Sequence, residues 1–147
     1  MSAPRHGSTQ VAPLLYLWRM DIEWVRQYCL SLPHATEQVQ WEDDLVFKVG
    51  GKMFAVVPLE PALRWLAFKC TEGEFADLIE RPGIVPAPYL ARAHWVSLES
   101  EEALTRDEVQ RLLRQAHGLV FARLPKKLQM QLGQKNPRGA RRKTRKG

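Results

Sequence analysis

The chain has 147 residues, 45% of them hydrophobic, which allows one ordinary domain with a packed core and excludes a chain disordered throughout. Its formal net charge of +6 is uneven: Lys135, Arg138, Arg141, Arg142, Lys143, Arg145 and Lys146 follow Gly133 with no acid among them, and taking these seven from +6 leaves −1 for residues 1–133. The basic balance therefore belongs to a tail and excludes a uniformly basic fold, because net charge speaks to partners and solubility and not to architecture.

Residues 1–19 read as an N-terminal extension, with Met20 an alternative natural start just before the patterned Asp21-Ile22-Glu23. The apolar piece Val11 to Trp18 is too short to span a bilayer and has no clear cleavage site behind it, so a cytoplasmic protein without a membrane partner is expected. From Asp21 to Leu32, the apolar residues Ile22, Val25, Cys29 and Leu32 recur at three- and four-residue steps, predicting a helix that Pro33 stops. Trp24 and Tyr28 lie one turn apart on it, as core or a small partner surface. The stretch His34 to Asp43 is polar and reads as irregular up to Trp41. Glu42-Asp43-Asp44 reads as a solvated turn rather than a magnesium site.

Asp44 to Val57 predicts a β-hairpin. Two β-rich runs flank Gly50-Gly51, a pair that supplies the positive φ angles of a two-residue turn. Counting outward pairs Val49 with Lys52, Lys48 with Met53, Phe47 with Phe54, Val46 with Ala55 and Leu45 with Val56. Leu45, Phe47, Phe54 and Val56 then share the core face, and a projecting tip of two glycines stands between Lys48 and Lys52. Pro58 to Pro61 turns the chain into a strand over Leu63 to Lys69, with Leu66, Phe68 and Cys70 on one face, completing an antiparallel meander.

Thr71-Glu72-Gly73-Glu74 has capping-box spacing and predicts a short helix to about Glu80. Pro82, Gly83, Pro86 and Pro88 hold the following stretch in a shaped loop. His94 to Leu98 reads as a last strand with Trp95 in the core. A second capping box, Thr105 to Glu108, opens the longest helix, whose face Val109, Leu112, Leu113, Ala116, Val120 and Leu124 runs for about five turns to Pro125. Lys126 and Lys127 follow, where the carboxyl end of the helix dipole favours positive charge. Residues 129–147 read as a basic tail that buries too little apolar surface to be ordered alone.

The chemistry is that of binding rather than catalysis. His34, His94 and His117 have no nucleophile in a recognisable motif around them, and no two histidines share a helix face at ligand spacing. Cys29 and Cys70 are isolated and read as core residues. Gly50-Gly51 lacks the strand-to-helix context of a phosphate-binding loop. Neither an enzyme nor a cofactor nor a metal site is expected.

Four blocks in order carry a resemblance: Asp44 to Ala55, Phe68-Lys69-Cys70, Pro86-Ala87-Pro88-Tyr89-Leu90 leading to His94-Trp95, and Leu119-Val120 with Leu124 to Lys127. Over residues 20–128 the chain resembles the MmcQ/YjbR family of small bacterial proteins. The resemblance implies an α+β fold of two layers, an antiparallel β-sheet (a meander plus a further strand) packed against N- and C-terminal helices in a frataxin/CyaY-like arrangement. It also implies a double-wing DNA-binding motif. The chain departs from the family pattern at Ala116-His117, where Ser-Tyr is usual, and at Val96, where Asn is common. Iron binding does not carry over, because the first helix offers only Asp21 and Glu23 in place of an acidic ridge.

The expected function is non-specific contact with a phosphate backbone, of DNA with RNA as the alternative, by a monomer. Its candidate residues are Lys48, Gly50, Gly51, Lys52, Lys69, Arg92, Lys126 and Lys127, aided by Arg138, Arg141, Arg142, Lys143, Arg145 and Lys146 of the tail. His94 and Trp95 form a candidate functional pair. The competing expectation is a protein-interaction adaptor using the sheet face, Trp41 and the proline-rich loop. An enzyme would need a pocket uniting His94, a carboxylate and Lys69.

Overall fold

Asp21 caps the first described helix, its Oδ1 accepting from the Trp24 amide at 2.8 Å, and α1 (Ile22–Ser31) follows with Val25 and Cys29 buried. The structure, a computed structural model, describes residues 21–41, 43–59 and 65–135, with side chains to residue 133. The extension 1–19, Glu42, Pro61, Leu63, Arg64 and the tail residues Arg138, Arg141, Arg142, Lys143, Arg145 and Lys146 lie outside them.

After Pro33 the chain forms β1 (Ala35–Gln40), β2 (Asp44–Val49), β3 (Lys52–Pro58) and β4 (Leu66–Lys69). Next come α2 (Glu72–Leu78), β5 (Ile84–Pro86), a 3-10 turn over Ala91–Ala93, β6 (Trp95–Leu98), α3 (Arg106–Ala122) and α4 (Lys126–Lys135). The strands make one six-stranded sheet in the order β1-β2-β3-β4-β6-β5, with every pairing antiparallel. The α+β, two-layer expectation holds. Two strands were not expected: β1 arises in the polar stretch before Trp41, and β5 in the proline-rich loop.

The hairpin register holds at its tip and fails beyond it. Val49 pairs with Lys52 and Lys48 with Met53, but a bulge between Phe47 and Lys48 then brings Phe47 opposite Ala55, Val46 opposite Val56 and Leu45 opposite Val57. Phe54 is thus the extra residue in β3, and a bulge of this kind leaves two neighbours on the same side of the strand. Phe54 and Ala55 both enter the main core, and Val57 replaces Val56 as the partner of Leu45 there. Val56 turns to the opposite face of the sheet with Val46, Ala87 and Trp95.

The sheet is therefore apolar on both faces. Its inner face presents Phe47, Phe54, Phe68, Leu66 and Leu98 to Val25 and Cys29 of α1 and to Val109, Leu112, Leu113, Ala116 and Val120 of α3. The outer face carries the smaller cluster, covered by the 87–95 segment. At the head of α3 the capping box is complete, with Glu108 N donating to Thr105 Oγ1 at 3.1 Å and Thr105 N to Glu108 Oε1 at 2.9 Å. At α2 only half of the expected box forms: Thr71 accepts from the Glu74 amide, while the Glu74 carboxylate instead accepts from Arg111 at 2.9 Å. No helix among the described residues is long and apolar enough to cross a membrane.

Candidate nucleic-acid interface

The glycine tip is docked, not projecting. Gly50 and Gly51 have φ of +60° and +82°, left-handed values that suit a primed hairpin turn. A Cβ on Gly50 would lie 2.5 Å from Cδ1 of Leu124, whereas one on Gly51 would meet nothing within 4 Å. Gly50 is required twice, by its dihedral and by the close approach of Leu124; Gly51 is required once.

That contact fixes what surrounds the tip. Leu124 is buried and is followed by Pro125, Lys126 and Lys127, the last two opening α4. The Gln129 side-chain amide reaches back to the carbonyls of Ala122 at 3.2 Å and Leu124 at 2.8 Å, satisfying acceptors at the end of α3 and holding the two helices together. Lys126 and Lys127 therefore stand between the carboxyl end of α3, as expected, and the amino end of α4, whose dipole disfavours their charge and favours an incoming anion.

Lys69 ends β4 on the same side of the domain. Its Nζ donates to the Ala93 carbonyl at 2.7 Å, next to Arg92. The Lys69 ammonium titrates below its ordinary value, first because burial disfavours its charge and then because the like charge of Arg123 is close. These contacts bring Lys69 and Arg123 together and, as their chain neighbours, place Lys52 beside Gly51, Arg92 beside Ala93 and Lys126 and Lys127 after Leu124 at the same end of the domain. Among the described residues the ion pairs engage other cations, Arg26 with Glu23 and Glu37, Arg81 with Glu108 and Arg111 with Glu74, and none engages these six.

Lys48 stands apart. Its side chain bonds Gln38 Oε1 of β1 at 2.9 Å, toward the edge of the sheet. Arg123 was not anticipated from sequence; only the fold around Leu124 places it beside Lys69. His94 and Trp95 divide. His94 takes a left-handed φ of 65° at the end of the 3-10 turn, its carbonyl accepts from the Cys70 amide at 2.9 Å, and its ring lies 5.6 Å from Phe75. Trp95 is buried in the outer cluster. These contacts account for the pair structurally, and neither His94 nor Lys69 lines the cavity on the outer face.

A two-layer α+β domain whose bulged hairpin docks on the junction of α3 and α4 defines the class. A model of the YjbR family matches residues 30–119, more than half of the chain, and the chain belongs to that family. Its structure is similar to the crystal structure of the Deinococcus radiodurans protein DR2400, a DUF419 domain, at 27% identity and a TM-score of 0.68, over 79% of this chain and 89% of that one. A Pseudomonas syringae protein from the Northeast Structural Genomics Consortium shares the fold at 21% identity and a TM-score of 0.56, over 69% of this chain and 99% of its own. No curated protein sequence matches the chain.

Proposed function

We propose that the hairpin-tip end of the domain binds the phosphate backbone of nucleic acid, without sequence readout and without catalysis. The observation that supports this reading most is the gathering of Lys52, Lys69, Arg92, Arg123, Lys126 and Lys127 at one end with no carboxylate pairing them among the described residues. Cations beside a helix amino end suit phosphate oxygens, and they attract the polymer through counterion release rather than base contacts. DNA is the first partner to test and RNA the second. The basic residues after Lys135 add attraction that needs no fold.

The test compares three proteins on a labelled duplex at low salt by fluorescence anisotropy: the full chain, the chain ending at Lys135, and the full chain with Lys52→Ala, Lys126→Ala and Lys127→Ala. Binding that survives truncation and weakens in the triple variant supports the reading. Binding lost on truncation and untouched by the triple substitution assigns it to the tail and removes the folded interface. No binding by any of the three would favour an adaptor that recognises protein through its outer sheet face.

A further inference from the structure

The outer face of the sheet holds a cavity of about 490 Å³, within the few-hundred-to-thousand range of small-molecule sites. Its wall is apolar, built from Met53, Val56, Ala67, Ala87 and Leu90 with their neighbours. Asp44, at the start of β2, is the carboxylate lining it among the described residues, and Ser97 of β6 adds a hydroxyl. Trp41 and Tyr89 complete the lining from opposite sides, one preceding β2 and the other in the turn after β5.

Those two aromatics are unusual in two independent ways. Both have left-handed backbones, φ +51° for Trp41 and +65° for Tyr89, which bulky L-residues adopt at a steric cost. Both are also held in solvent, Trp41 at 61% and Tyr89 at 103% relative exposure. Burial of the ring explains neither. Two costly, solvent-facing aromatic rings beside an apolar recess and a carboxylate are the components that recognise an organic cation: ring faces attract positive charge, the recess takes an apolar body, and the carboxylate supplies the counter-charge.

We propose that this pocket binds a small organic cation, a protonated or quaternary amine carried on an apolar or aromatic body, with Asp44 as its counter-ion and Trp41 and Tyr89 as its aromatic walls. Among the described residues no lysine or arginine forms an ion pair with Asp44. Burial and then the adjacent Asp43 hold the Asp44 carboxyl above its ordinary value, a destabilised anion that a bound cation relieves. The site is separate from the lysines of the hairpin-tip end and does not depend on the nucleic-acid reading.

Three probes of similar shape test it on the full chain: 4-phenylbutyltrimethylammonium, neutral 4-phenylbutanol and anionic 4-phenylbutyrate, followed by calorimetry and by backbone amide NMR shifts. The proposal expects the ammonium to bind about tenfold more tightly than the alcohol, the carboxylate most weakly, and shifts centred on Met53, Ala67 and Ser97. Asp44→Asn, which keeps the shape, brings the ammonium down to the affinity of the alcohol, and Trp41→Ala weakens the ammonium with the amide spectrum elsewhere unchanged. Equal affinity for cation and alcohol, unchanged cation binding in Asp44→Asn, or no shifts around the pocket at millimolar probe would overturn it.

Discussion

Nε2 of His117, on α3, lies 2.7 Å from the carbonyl oxygen of Pro33, in the turn that joins α1 to β1. With its proton on that nitrogen the ring donates to Pro33, stands edge-on to Phe54 with centroids 5.3 Å apart, and stacks with Phe121 at 6.4 Å. One buried side chain thus ties the longest helix to the turn after the first and to the bulge residue of the sheet. His117→Ala removes the donor and opens space beside Phe54, and is expected to cost about 2 kcal/mol in urea unfolding at neutral pH.

The same histidine makes stability depend on pH. Its pKa in the fold is below the ordinary 6.5, chiefly because burial disfavours the imidazolium, with neighbouring His34 acting in the same direction and the Pro33 carbonyl opposing. The unfolded chain therefore binds more protons near that pH, so this contribution is fully present above about 6.5 and is lost as pH falls through 6.5 toward the folded value. Urea midpoints measured from pH 7.5 down to 5.5 should fall for the native sequence and fall less for His117→Phe.

Gly50 and Gly51 separate dihedral strain from packing. Gly51→Ala meets only the left-handed backbone, at about 1 kcal/mol, whereas Gly50→Ala adds the collision with Leu124 and is expected to cost about 3 kcal/mol. A double-mutant cycle with Leu124→Ala isolates the contact: truncating the leucine should cost less in the Gly50→Ala background than in the native one.

At the start of α3, Arg81 and the Thr105 amide hold the Glu108 carboxyl down to about 2. Its stabilising contribution is present above the ordinary value of 4.5 and disappears as pH falls through that value toward 2. The ion pair is solvent-exposed and contributes little by itself; the cap contributes more, and Thr105→Ala should cost about 1 kcal/mol. Thermal melts from pH 5 to 2 should show a smaller acid loss in Glu108→Gln than in the native chain.

Both thiols are buried and their pKa values raised, Cys29 by burial alone and Cys70 up to about 12 by burial first and then by the charge of Glu74. Thiolate is the reactive form, so modification by a disulfide reagent at neutral pH should be slow in the native protein and should track unfolding as urea is raised.

The interior of the sheet was legible and its margins were not. Strands β2, β3, β4 and β6 alternate or run apolar because neighbours cover them on both sides, and the Gly50-Gly51 turn announced itself. The missed strands, β1 and β5, are the two edges. Ala35–Gln40 is mostly polar because little packs on it, and Ile84–Pro86 ends on a proline that an edge tolerates, so neither carries the usual signal. The bulge at Phe47/Lys48 leaves no mark in an apolar run where Phe54, Ala55, Val56 and Val57 are all buried, so simple alternation puts Val56 on the wrong face. At the site, Lys52, Lys69, Lys126 and Lys127 were nameable from composition and turn chemistry. Their convergence was not, because it depends on Leu124 meeting a glycine more than seventy residues earlier and on Gln129 folding α4 back against α3.

The most direct test of the proposed interface is the salt dependence of duplex binding by the chain ending at Lys135, with and without Lys52→Ala, Lys126→Ala and Lys127→Ala. If the six gathered cations each neutralise a phosphate, the log–log slope is about −5, and the triple variant flattens it by about 2.7. A slope and affinity identical in the two proteins would contradict an interface at the hairpin tip.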